Sequence, residues 1–441
     1  MKNIKLLLLS LFIGLSIFQT FFLWLGGPLS HIFFNPAPKT SLIPITPKYI
    51  WINTGGAYTK GLKISNKDQE YNLMVEELQS VLFKAFESKT PDFLKKGNMS
   101  ELYNQRGLIY EYSIPLSIDE IVGKSVPLKH NYKIDYVFIH LKDEILAEDS
   151  IYFINETDNY YVEIALPNKA HEFENIYFLF NNDQTDQNTS LKYQPSIKDI
   201  KSPHIKGNVF LANISPALPM KYSVIMFRNF LENMDFAEIE GRIDQLFDKP
   251  IMKETKILFG GDKEFLEENK NLVRISNTGL ISYKNLKPTI DKIPQTRLEG
   301  YNIALDFIEE NALISPTLKN KLYLSNILIE QGAYVYYFDI IYKDINVIIA
   351  DMSAVSIKVD DHQVKEASWI SFYIEEVFSY EQHFLTVGYS YPIDKMYSNL
   401  KSIGIEKPIF DNVELVYDLT NKDTPLNVKW GINYEGDWYY P

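Results

Sequence analysis

Few residues in this chain stand at spacings that do chemistry. Seven histidines are scattered at 31, 130, 140, 171, 204, 362 and 383, and none falls in a His-Glu-x-x-His or other ligand spacing. The densest titratable cluster, Asp360-Asp361-His362, follows a strand-like run, where such residues suit a solvated turn better than a metal site. Cysteine is absent, which excludes disulfides, a thiolate nucleophile and Cys-ligated zinc. Gly55-Gly56 and Gly260-Gly261 are isolated pairs that read as turns rather than phosphate loops, and there is no Gly-x-Ser-x-Gly elbow. The adjacent acids Glu76-Glu77 and Glu375-Glu376 lie on patterned elements that turn one of each pair to solvent. The paired carboxylates of a glycoside hydrolase stay open as an alternative, since such pairs are distant in sequence, but nothing singles out two. No catalytic site, metal or cofactor is therefore expected.

The residues with a readable physical role lie at the N-terminus. Leu6 to Leu25 carries no charge, and 14 of its 20 residues are Leu, Ile or Phe. As a helix it spans about 30 Å, the thickness of a hydrocarbon core. Lys2 and Lys5 precede it, which predicts a cytoplasmic N-terminus and an extracytoplasmic body. The run is longer than a signal-peptide core and ends in bulky Phe21, Phe22, Leu23, Trp24 and Leu25, which predicts a retained anchor rather than a cleaved signal. Leu23 and Trp24 suit the membrane interface. Ser10-x-x-x-Gly14 and Ser16-x-x-x-Thr20 are small-residue pairs that let helices approach closely, and the Gln19 amide suits an interhelical hydrogen bond. Ser10, Gly14, Gln19 and Thr20 are thus the candidate partner-binding residues within the membrane.

The elements beyond the anchor read as α+β: a single transmembrane helix, then helix-plus-antiparallel-sheet domains. Five prolines between Pro28 and Pro47 mark an extended spacer. The expected divisions are 1–27 for the cytoplasmic tip and anchor, 28–47 for the spacer, 48–185 for a first domain, 186–294 for a middle one and 295–441 for the last. In the first, "YIWINTGGAY" reads as a strand into a turn. A helix follows, with Tyr71, Met74, Val75, Leu78, Val81, Leu82, Ala85 and Phe86 on one face. Strands are expected at 108–114, 134–141, 150–155 and 160–165, with a further helix at 171–181. The polar run 181–190 is read as a boundary. The middle domain carries a strand at 222–227, a helix on Phe236, Ile239, Ile243, Leu246 and Phe247 capped by Asp235, a short strand at 256–260, and two strands around Asn277-Thr278-Gly279. The last opens with a helix on Leu298, Tyr301, Leu305 and Ile308. Strands at 322–330, 334–342, 345–349 and 354–359, a helix near 392–400, a strand at 412–419 and a terminal hairpin at Glu435-Gly436-Asp437 follow. Net charge is −13, which argues against a nucleic-acid partner.

Four stretches resemble the YycH family, and the C-terminal part is also similar to the related YycI proteins. They are Thr20-x-x-Leu23-Trp24-x-x-x-Pro28, "TGLISYKN" (278–285), "DIIYKDINVIIADMSAVSIKVDDHQV" (339–364) and "PLNVKWGINYEGDW" (425–438). Gly26-Gly27 and Lys429-Trp430 depart from the family pattern. The resemblance implies a non-enzymatic, single-pass cell-membrane protein with an extracytoplasmic three-domain body. It implies association, together with a YycI-like sister protein, with a YycG/WalK-like sensor histidine kinase that governs cell-wall metabolism in low-GC Gram-positive bacteria. Contacts between transmembrane helices would carry much of the regulation. Two other functions stay open from the residues themselves: an envelope scaffold or glycan-binding module, which requires an exposed aromatic row on a sheet face, and a membrane-anchored wall hydrolase, which requires a cleft with convergent carboxylates or histidine.

Overall fold

The computed structural model describes residues 42–55, 60–65, 69–88, 94–95, 102, 104–126, 132–141, 150–156, 158–165, 193–195, 205, 210–212, 214–217, 219–268, 270–288, 295–350, 352–377, 383–419 and 424–441. The first large sheet contains β1 (Tyr49–Asn53), β2 (Lys60–Ser65), β3 (Leu94–Lys95), β4 (Gly107–Leu116), β5 (Ile134–His140), β6 (Ser150–Asn155), β7 (Tyr160–Ala165) and β8 (Tyr193–Pro195). Their order is β3-β7-β6-β5-β4-β1-β2-β8, antiparallel throughout. Helix α1 (Gln69–Ser88) covers one face, burying the predicted stripe of Tyr71, Met74, Leu78, Val81, Leu82 and Ala85. That stripe packs on Ile50, Ile52, Leu108, Tyr110, Val137 and Ile139. Each large apolar side chain so buried contributes about 1.5–3 kcal/mol. A short helix, α2 (Ile118–Val122), starts on a Ser117/Glu120 capping box and stops at Gly123, whose φ of +78° favours glycine.

The second large sheet has 12 strands. Before it come β9 (Met220–Tyr222) and β10 (Ile225–Asn229), then α3 (Phe236–Ile243), capped by Asp235 as predicted. The sheet itself starts with β11 (Lys253–Ile257), β12 (Lys263–Glu267), β13 (Asn271–Ile275) and β14 (Leu280–Asn285). After α4 (Arg297–Glu310) and α5 (Pro316–Lys319) come β15 (Leu322–Glu330), β16 (Ala333–Tyr342), β17 (Ile345–Ile349), β18 (Val355–Asp360) and β19 (Gln363–Ile370). Next are β20 (Phe372–Glu376), β21 (His383–Leu385) and α6 (Ser390–Ser402), and β22 (Asn412–Leu419), β23 (Val428–Tyr434) and β24 (Asp437–Tyr439) close the chain. The order is β11-β12-β13-β14-β19-β18-β16-β17-β22-β23-β24, with β15 on the other side of β16. Every pairing is antiparallel except β17–β22. β10 pairs with β20 and β9 with β21 as separate ribbons. The tight turns fall where two-residue hairpins need left-handed backbone: Lys343-Asp344, Asp361-His362 and Glu435-Gly436 all have positive φ. The Asp360-Asp361-His362 cluster is thus the β18–β19 turn.

The boundary expected at 294 falls between strands of one sheet, because β14 is hydrogen-bonded to β19, with Tyr283 opposite Ala367. β12 has no counterpart among the expected strands: "KEFLE" reads as charged, yet Glu267 is fully buried, where its carboxylate accepts from Asp248 N, Lys249 N and Asn271 Nδ2. The helix expected at 171–181, the polar boundary at 181–190 and the anchor Leu6–Leu25 lie outside the described residues. Among the described residues no helix is long and apolar enough to cross a membrane.

Candidate functional site

The two sheets meet through the face of the first that α1 leaves uncovered. Tyr49, Trp51, Ile109, Tyr136 and Phe138 pack there with Tyr323 and Ile341 of the second sheet. β1 is therefore buried on both faces, and its five residues show no alternation of exposure. Beside this contact opens a cleft of about 820 Å³, walled by β4 and β5 on one side and by β15 and β22–β24 on the other.

Charge is concentrated in this cleft and in the sheet contact beside it. Lys48, the residue before β1, and Glu414 of β22 are 8 % and 9 % exposed, with Lys48 Nζ 3.4 Å from Glu414 Oε1. The same ammonium lies 4.8 Å from the Tyr49 ring centre and 5.4 Å from that of Tyr323. Asn412 Nδ2 donates to Glu414 Oε1 at 3.0 Å, and the Tyr49 hydroxyl donates to Asn346 Oδ1 at 3.0 Å. Lys63 donates to the Asp344 carbonyl at 3.0 Å while sitting 3.5 Å over the Tyr49 ring, and burial pulls its ammonium down from the usual range. Trp51 Nε1 donates to Glu111 Oε2 at 2.7 Å. Burial pushes the Glu111 carboxyl up, against the opposing pull of Lys48, Trp51 and Lys63. Burial also raises Asp339, opposed by Ser325, Ser353 and the Ala354 backbone.

A carboxyl raised by folding favours the native state below its unfolded value, and that contribution is lost as pH rises through the folded value. Glu111→Gln is accordingly expected to flatten the fall of stability from the ordinary carboxylate range upward. Urea unfolding of both proteins across that range measures it. An unchanged slope would show that Glu111 folds with its ordinary proton affinity.

A second set of contacts ties the end of the Pro-rich spacer, residues 42–47, to both sheets. The Asn302 side chain of α4 accepts from Ile43 N at 2.7 Å and donates to Ile43 O at 3.0 Å. Ile45 N donates to Glu120 O at 2.9 Å. Glu120, 6 % exposed, pairs with Arg297 Nε at 3.0 Å, which joins α2 to α4. Residues 42–47 are thus held between the two sheets' helices.

None of the sequence-nominated site residues falls in these places. Ser10, Gly14, Gln19, Thr20, Leu23 and Trp24 lie outside the described residues. Glu375 pairs with Arg228 at 2.8 Å, and Glu376 is engaged by Lys343 and Tyr342, which holds its carboxyl below the usual range. Among the described residues no group of three His, Cys, Asp or Glu is placed to hold a metal ion. The cleft residues carry no motif, but a signal existed: Glu111 and Asp339 are lone acids inside the apolar strands "GLIYEYSIPL" and "AYVYYFDIIY", and Glu414 is one of two in "NVELVYDL". Lone charges inside such strands need partners that only another part of the chain supplies.

No protein-family model matches the chain, and no curated protein matches its sequence. Two solved structures are similar. An uncharacterised protein from Eubacterium rectale aligns with a TM-score of 0.34 and 12 % identity, over 55 % of this chain and 92 % of that one. YycH from Bacillus subtilis aligns with a TM-score of 0.57 and 13 % identity, over 91 % of this chain and 98 % of that one, so the chain is similar in fold to YycH across nearly its whole length.

Proposed function

We propose that the chain is a single-pass cell-membrane protein whose extracytoplasmic body regulates a YycG/WalK-like sensor histidine kinase, together with a YycI-like sister protein. The observation that carries the reading is the likeness in fold to YycH over 98 % of that chain. The four stretches that resemble the family support it from the sequence side. In this reading the anchor helix packs on the kinase helices through Ser10, Gly14, Gln19 and Thr20, with Leu23 and Trp24 at the outer interface. It binds one signalling state better than the other, and a difference of about 1–3 kcal/mol suffices to shift the kinase population. The clasp around Ile43 gives the body a firm hold on the segment leading to the anchor, so a change in how the two sheets sit reaches the membrane helix.

The geometry favours neither alternative. A glycan platform requires a row of exposed aromatics, whereas Phe83, Phe236, Phe259, Phe384, Tyr391 and Tyr439 are spread over separate elements. The buried acids of the cleft already serve internal donors: Glu111 serves Trp51, and Glu414 serves Lys48 and Asn412. Packed carboxylates of this kind hold sheets together rather than attack a glycosidic bond.

Replacing residues 6–25 with an unrelated apolar helix is expected to abolish the protein's effect on kinase output while leaving membrane insertion intact. Kinase output measured in cells, with the protein quantified in the membrane fraction, checks it. Unchanged output with normal insertion would defeat regulation through the helix.

A further inference from the structure

The second sheet ends on a strand with an open edge. Among the described residues β11 pairs with β12 on one side and with no strand on the other. Its register fixes which backbone groups are free. Leu258 N donates to Asp262 O at 2.8 Å where the β11–β12 hairpin closes. Antiparallel bonds alternate along a strand, so Glu254 and Lys256 bond inward to β12. Lys253, Thr255 and Ile257 therefore turn their N–H and C=O groups to the open edge. Such an edge is a template for another strand, and charged side chains commonly guard it. β11 is poorly guarded. Lys253 is tied back to Glu240 and Asp244. Ile251, in the turn Pro250–Met252 just before the strand, is 94 % exposed, Ile257 is 75 % exposed, and Phe259 is fully exposed.

We infer that a second copy of this chain docks on this edge, β11 against β11, about a dyad through Thr255. The strand "KETKI" is complementary to itself in that register. Thr255 then bonds the partner's Thr255, and Lys253 bonds the partner's Ile257, all through groups that already face the edge. Glu254 falls opposite the partner's Lys256 and Lys256 opposite the partner's Glu254. Opposite charges across a strand pair stabilise it, and like charges weaken it. A dyad at Glu254 or at Lys256 would instead set like charges face to face. Beyond the strand, the turn carrying Ile251 comes alongside the partner's Phe259. These are the two most exposed large apolar side chains of the described residues, and the dyad covers each with the other. Thr255 Oγ1 donates to Glu240 of α3, so the two α3 helices lie on the same face of one continuous sheet. The contact is isologous, and it closes at two copies. The inference does not rest on the kinase reading, since docking is read on the chain itself.

The chain has no cysteine, so one introduced thiol reports one position. The test follows the rate of disulfide cross-linking of the full-length chain in intact cells after a thiol oxidant is added. Thr255→Cys places the two sulfurs across the dyad, with Cα atoms about 5.5 Å apart, within disulfide reach. It is expected to cross-link at least about tenfold faster than Ile329→Cys, because only the first holds its two Cβ atoms at bonding distance. Ile329, 69 % exposed on β15, controls for copies brought near each other by any other contact. Glu254→Lys added to Thr255→Cys sets like charges opposite each other and is expected to slow cross-linking at least about threefold. Adding Lys256→Glu as well reverses the pair and is expected to restore the rate. Circular dichroism of the purified variants verifies folding, and mass spectrometry identifies the product, expected at twice the mass of the chain. A product joined to a different protein would give the edge to another partner and overturn the inference. So would Thr255→Cys cross-linking no faster than Ile329→Cys, or a rate indifferent to the charge at position 254.

Discussion

Lys48→Met is expected to destabilise the protein by about 3–5 kcal/mol, the cost of leaving a buried carboxylate without its partner. Lys48 is the cation closest to Glu414, and the side chains of the two are 9 % and 10 % exposed. Met fills a similar volume and retains contact with the Tyr49 and Tyr323 rings, so packing loss is a minor part of the effect. What is lost is the charge that compensates Glu414 and opposes the burial of Glu111 and Asp339. Glu414→Gln in the same background removes the orphaned charge and is expected to recover a substantial share, giving an interaction energy of about 0.5–3 kcal/mol between the two sites. Urea unfolding of the single and double variants measures this cycle. A loss below about 1 kcal/mol in Lys48→Met would place the pair among exposed ion pairs of little consequence. Because the pair joins the residue before β1 to β22, loosening it is also expected to raise amide exchange in β1 and β22 together.

Trp369→Ala is expected to cost a further about 3–5 kcal/mol by a different mechanism, the opening of a cavity in a packed core. Trp369 is fully buried in β19, where it lies opposite Ile281 of β14 and Val355 of β18. Its ring packs edge-on against Phe307 of α4, with ring centres 5.8 Å apart. It therefore sits at the seam where strands β11–β14 join the rest of the second sheet. Its indole Nε1 makes no hydrogen bond, so Trp369→Phe forfeits volume but no polar contact and is expected to cost less than half as much. Chemical denaturation of both variants gives the comparison, and amide exchange in β13 and β14 reports whether the seam opens first. Equal losses for Ala and Phe would show that the indole's polar edge matters and that cavity volume does not decide the outcome.

The contrast between these two sites marks the reach of the sequence. The α1 stripe from Tyr71 to Ala85 was legible because helical periodicity is a local property of adjacent turns. So were the Asp235 cap and the Glu435-Gly436 turn, which depend on the backbone preferences of two or three residues. β1 was legible as a strand but not as a strand buried on both sides, because "YIWIN" carries no polar alternation to say which face meets what. β12 went unread because its charges mimic a solvated segment, while the donors that satisfy them, such as Asn271 for Glu267, belong to the next strand. The joining of β14 to β19 was not readable either, since hydrogen bonds between strands are made by backbone groups that every residue carries alike.

By itself the sequence determined the α+β class, the positions of most strands and helices, and the lack of any familiar catalytic motif, all properties set by composition and by neighbours within a few residues. Only the tertiary structure decided that the strands from 253 to 285 share a sheet with those after 322, and that Ile43 is clasped by Asn302. It alone brought acids of four strands into one cleft, with Lys48 and Glu414 meeting across 366 residues of chain. Such a pairing is chosen by the free energy of burying two sheets against each other. That energy depends on which distant surfaces fit, and no local pattern along the chain records it.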